Sequence, residues 1–200
     1  MNFFPWTPAQ ESKIDKLSTP EKIQIFLDNA QYNLEGTPRI PSEVLKMKRA
    51  HCFDGAVFAA SVLAYHGEPP LILDLCAVRD DDHILAIYKK GQHFGAIAKS
   101  NYVGLRFREP IFKTTRELVL SYFESYFNLK REKSLREYSE PFDLRNTQKL
   151  EWSKEVCVFD LIAEQLVKVK HYAILSKGQV QKLKRVDSRT FNAGLVGSLK

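Results

Sequence analysis

A thiol, an imidazole and a hydrogen-bonding third group are the parts of a nucleophilic acyl-transfer site, and one spacing in this chain fits them. Cys52 stands where the polar segment Arg49-Ala50-His51 gives way to an apolar run that reads as a helix ending near Gly67. A helix start stabilises a thiolate through its unpaired backbone N–H groups and its dipole. His83 follows at the start of a second apolar run, where an imidazole could take the thiol proton and later deliver one to a leaving group. A third polar group would fix the ring's tautomer by bonding its other nitrogen. Arg49 and His51 add positive potential beside the thiol, and Asp54, in the first helical turn, opposes it.

The other reactive side chains carry plainer readings. Cys76, inside an apolar strand, and Cys157, in Val-Cys-Val, are read as core. His66 is a cation at the favourable end of a helix dipole, and His171 a surface or core residue. No His, Asp and Glu spacing suggests a metal site. Asp80-Asp81-Asp82 reads as a hydrated turn, with Asp82 raising the pKa of the imidazole beside it. Arg106 and Arg108 alternate with Leu105 and Phe107; they form salt bridges or grip a substrate carboxylate. The stripe from Leu118 to Tyr126 is core.

The elements that must hold these residues follow from period and punctuation. Thr19 and Pro20 open a helix whose face is Ile23, Phe26, Leu27 and Ala30. Ser42 caps a short helix reaching Lys48. In the next helix Ala56, Ala59, Ala60, Leu63 and Ala64 recur at helical spacing, and Gly67, Pro69 and Pro70 stop it. Strands are expected over 71–78, from His83 to Tyr88 and from His93 to Lys99. Thr114 and Glu117 open an aromatic helix running to Tyr126. Residues 130–150 read as irregular and Asp160 to Tyr172 as a helix. The class is α+β: N-terminal helices, with the Cys-bearing helix packed on an antiparallel sheet.

Length and composition agree. Two hundred residues with 44% hydrophobic content make one domain with an ample core. The three cysteines are too scattered for a disulfide framework, and no signal or membrane-spanning run is present, so a cytoplasmic protein is expected. Net charge is +6, and six Lys or Arg against one acid fall in the span 176–200, read as a partly disordered basic tail. That charge permits nucleic-acid contact without establishing it; a solubilising tail is the preferred reading.

The order Arg-x-x-Cys-x-Asp-x-Ala on a helix, Gly at its end, an apolar strand, then His opening a strand and a Gly-containing hairpin resembles the transglutaminase-like superfamily, which is papain-related. The match covers about 42–101. Gly95-Ala96-Ile97-Ala98-Lys99-Ser100-Asn101, followed by Leu105-Arg106-Phe107-Arg108-Glu109-Pro110, is similar to a bacterial group within it. The resemblance implies a cysteine enzyme acting on an amide or peptide bond, by hydrolysis or acyl transfer, with Cys52 as nucleophile and His83 as base. It implies no metal or organic cofactor. His93-Phe94 replaces the superfamily's Trp after the hairpin glycine, and Ile97-Ala98 its Asp. Those departures leave a second expectation, an inactive protein binding a peptide or protein in its groove.

Strand parity bears on the third member. A two-residue loop at Lys90-Gly91 sets Ser100 on the face of His83, whereas a three-residue loop at Lys89-Lys90-Gly91 sets Asn101 there. Asn101 is favoured because its carbonyl can accept from an imidazole N–H.

Overall fold

The computed structural model describes residues 3–147, 152 and 155–198. In chain order the elements are helices Pro8–Ile14 (α1) and Pro20–Asn29 (α2), strand Gln31–Tyr32 (β1), helix Pro41–Met47 (α3), strand Arg49–Ala50 (β2) and helix Cys52–Tyr65 (α4). Strands Leu71–Ala77 (β3), His83–Lys90 (β4), His93–Ile97 (β5) and Arg108–Phe112 (β6) come next, then helix Thr115–Leu120 (α5). Strands Leu135–Ser139 (β7) and Phe142–Asp143 (β8), helix Glu155–Lys168 (α6), strand His171–Ala173 (β9) and helices Lys177–Gln181 (α7) and Ser188–Gly194 (α8) complete the chain. This is an α+β fold with α4 packed against a seven-stranded antiparallel sheet.

Local chemistry sets the element ends. Pro opens each of the first three helices, where its missing N–H removes no helical bond. The Thr19 and Thr114 hydroxyls accept from Lys22 N–H at 3.3 Å and Glu117 N–H at 3.1 Å. Gly67, at φ 91°, ends α4 in the left-handed region.

The sheet runs β6-β5-β4-β3-β7-β9, with β8 also paired on β3. Its two faces feed two cores. Ile72, Ile84, Ala86 and Tyr88 pack with the N-terminal helices, α4 and α6. Leu73, Leu75, Leu85 and Ile87 pack instead with Leu118, Tyr122, Tyr126 and neighbouring side chains. Apolar residues on both parities explain why these strands read as continuous apolar runs.

Three expectations are corrected. Residues 130–150, expected to be irregular, contain β7 and β8. In β7 the large apolar side chains Leu135 and Tyr138 lie three apart, so no period-two signal marks the strand; a register shift opposite Cys76 and Ala77 lets both enter the second core. The aromatic helix stops at Leu120, and Phe123–Ser125 is a short 3-10 turn. The helix expected to reach Tyr172 ends at Lys168, with β9 beyond it. The basic span 176–200 carries α7 and α8, and the Phe191 ring of α8 packs 5.7 Å from Phe127. The side chain of Cys157 lies outside the described residues. Among the described residues no helix is long and apolar enough to cross a membrane.

Candidate functional site

The thiol is presented by the start of α4, and that start is tightly built. His51 is the N-cap, its Nδ1 accepting from Phe53 N–H at 3.0 Å. Asp54, fully buried, accepts from the N–H groups of His51, Gly55 and Arg39 at 2.7, 2.9 and 3.1 Å. Those bonds favour its carboxylate, though burial dominates and pushes its pKa up. With Phe53 and Gly55 so engaged, the Cys52 N–H has no partner among the described residues.

Cys52 is partly exposed at the wall of a cavity of about 370 Å³, and Sγ lies 3.8 Å from the Asp82 carbonyl oxygen. Burial pushes the thiol up to about 11; the Ile84 N–H pulls the other way and the Asp54 charge adds to the rise. The helix start therefore does not outweigh desolvation here.

His83 lines the same cavity and is almost wholly buried. Its Nε2 lies 2.8 Å from the Leu105 carbonyl oxygen. A carbonyl only accepts, so Nε2 carries the proton and Nδ1 the lone pair. Burial holds the imidazole down at about 4, with the nearby Arg108 charge lowering it further against the Leu105 bond. The expectation that Asp82 would raise it is corrected: Asp82 turns its Oδ1 to the Ala77 N–H at 2.7 Å, and desolvation dominates.

Leu105 belongs to a 3-10 turn, Val103–Leu105, held from both sides. Arg108 Nη2 donates to Gly104 O at 2.7 Å, its Nε to Ser121 Oγ at 2.9 Å, and its guanidinium stacks over the Tyr122 ring. The Tyr122 hydroxyl donates to Arg106 O at 2.8 Å. In the same core, the Tyr126 hydroxyl donates to Asp81 O at 2.7 Å.

The hairpin turns at Gly91-Gln92, pairing Lys90 with His93 and Ala86 with Ile97. Continued past the end of β5, that register sets Ser100 opposite His83. Ser100 lines the cavity with Cys52 and His83, and its Oγ accepts from Tyr102 N–H at 2.9 Å. Asn101 and Arg106 line an adjoining cavity of about 580 Å³, divided from the first by Tyr32, Ser100 and Tyr102. Arg106 forms an ion pair with Asp28 at 3.1 Å. Arg108 lines neither cavity.

Sequence reasoning missed the Leu105 carbonyl, the His51 cap and the part Arg108 plays in holding Leu105. A main-chain acceptor leaves no mark in residue type, and a histidine cap is outside the usual Ser, Thr, Asp and Asn set.

Among the described residues, one cluster combines ligand types suited to a metal: Asp74, Cys76 and His171. Cys76, read as core, and His171, read as surface or core, are both half-buried and polar-bonded. It does not line the Cys52 cavity. No protein-family model matches this chain, and no curated protein matches it either.

Proposed function

We propose that the chain is a transglutaminase-like cysteine enzyme acting on an amide or peptide bond through an acyl-enzyme. The observation that carries this reading is a single cavity bordered by a helix-start thiol and by an imidazole whose tautomer is set by a backbone carbonyl. Cys52 attacks the substrate carbonyl as His83 Nδ1 takes the thiol proton, and the proton then passes to the departing amine. The Cys52 N–H donates to the developing oxyanion. Water or a second amine releases the acyl group and restores the thiol. The Leu105 carbonyl takes the orienting part otherwise assigned to Asn101 or Ser100. Thiol and imidazole are both neutral at rest, so proton transfer accompanies attack and no standing ion pair is required. Asp80, Asp81 and Asp82 border the cavity with no Lys or Arg, which favours substrates carrying positive charge.

The test uses a lysine-derived activated ester, N-acetyl-lysine p-nitrophenyl ester. Wild type should release one burst equivalent of nitrophenol and gain the acyl mass. Cys52→Ala should show neither, and His83→Ala should acylate about 100-fold more slowly or worse. Equal acylation of Cys52→Ala, or an unchanged rate in His83→Ala, sinks the proposal. The depressed imidazole and raised thiol favour a second reading, a groove that binds a peptide without reacting. It predicts binding of basic peptides with no acyl mass on any variant.

A further inference from the structure

A second site lies on the far part of the sheet, built by three neighbouring strands. Asp74 and Cys76, two apart on β3, share one face. Asp74 N–H donates to Ser139 Oγ of β7 at 2.9 Å, and Ser139 pairs with His171 of β9. The three side chains converge. Cys76 Sγ lies 3.4 Å from Asp74 Oδ2, and His171 Nε2 lies 3.6 Å from the same oxygen. A tetrahedral ion with metal–sulfur bonds near 2.3 Å and metal–nitrogen or metal–oxygen bonds near 2.0 Å sets its ligand atoms about 3.3–3.5 Å apart. The sulfur–oxygen separation matches such an edge, and the nitrogen–oxygen separation, at 3.6 Å, is slightly longer than one.

Two further observations point to a cation. His171 Nδ1 donates to the Val169 carbonyl oxygen at 2.7 Å, which leaves Nε2, 3.6 Å from Asp74 Oδ2, as the ring nitrogen that binds an ion once it carries no proton. A ring nitrogen anchored on a backbone carbonyl is the usual support for a metal-binding histidine. Asp74 Oδ1 is buried with no hydrogen bond, and the ion-pair partner of this carboxylate among the described residues is His171, which faces Oδ2 and is charged only when protonated. An unpartnered buried carboxylate oxygen is costly, and a coordinated cation removes that cost. Asp82 and Glu137 add negative potential around Cys76.

We infer that Asp74, Cys76 and His171 form a binding site for a zinc-class divalent ion, separate from the Cys52 cavity. Thiolate, imidazole and carboxylate together select a borderline-soft ion over magnesium or calcium. Binding releases the Cys76 thiol proton to solvent, and the three protein ligands leave a fourth position for water.

The test titrates the full chain with Co²⁺ alone, following the thiolate-to-cobalt charge-transfer absorption, and then displaces the cobalt with Zn²⁺. One cobalt per chain is expected, with the band kept in Cys52→Ala and lost in Cys76→Ser. His171→Ala, on the edge strand, should weaken binding by about tenfold or more. Absence of the band in wild type, or its persistence in Cys76→Ser, overturns the site. Should Cys76→Ser fail to fold, an unchanged cobalt affinity in His171→Ala overturns it as well.

Discussion

His83 makes the clearest statement at the scale of single residues, because its protonation is tied to folding. In the folded chain burial holds it at about 4, against an ordinary value of 6.5. Between those two values the unfolded chain binds the additional proton and the folded chain does not. Stability therefore rises with pH through that window and is lost as pH falls from about 6.5 toward 4, by about 3 kcal/mol from this group. Denaturant midpoints at about pH 7 and pH 4.5 measure it. His83→Gln, which can still donate to the Leu105 carbonyl, should flatten that dependence, and an unchanged slope would assign it to other groups. The same burial governs the thiol. Alkylation of Cys52 by iodoacetamide should climb with pH until about 11, instead of reaching its plateau near the ordinary thiol value of 9.0.

Among the elements, α4 is the one whose placement decides the site, and Gly55 is what lets it come close. A Cβ at Gly55 would stand 2.7 Å from Lys99 Cβ. Lys99 cannot easily yield, since its ammonium donates to Leu27 O at 2.7 Å and also to Ala30 O at the end of α2. Gly→Ala inside a helix ordinarily stabilises by about 1 kcal/mol. Gly55→Ala should instead cost about 1–3 kcal/mol through overpacking, read from the denaturant midpoint. A stabilised Gly55→Ala would show that the segment after β5 moves freely. The alanine-rich face of α4 was legible in the sequence for the same reason, small residues permitting close approach. So were the three apolar strands and their hairpin, because run length and turn residues mark them. What stayed hidden lacked a local signal: β7, whose apolar pair is three apart; β9, where the helical periodicity continues; and the hairpin's register, which turns on Gly91-Gln92 and on neither Lys90-Gly91 nor Lys89-Lys90-Gly91. The nucleophile and base candidates could be named from type and position. Their orienting partner could not, because Leu105 acts through its backbone.

For the molecule as a whole, the sheet separates two cores, and the candidate site belongs to neither alone. Cys52 starts the central helix of one layer. His83 pairs with Leu75, whose side chain belongs to the other layer, and its ring is anchored on the turn of Leu105 beside Tyr122. Both line one cavity beside the start of β4, where β5 no longer pairs with it. Warming that loosens either layer pulls thiol and imidazole apart while the strands between them remain paired. Acylation of Cys52 should then fail at a lower temperature than the far-ultraviolet circular dichroism signal; coincident transitions on one heating ramp would contradict this. Heat tolerance of the chemistry becomes a property of a joint, set by whichever side slackens first, and strengthening the sheet itself would do little to extend it.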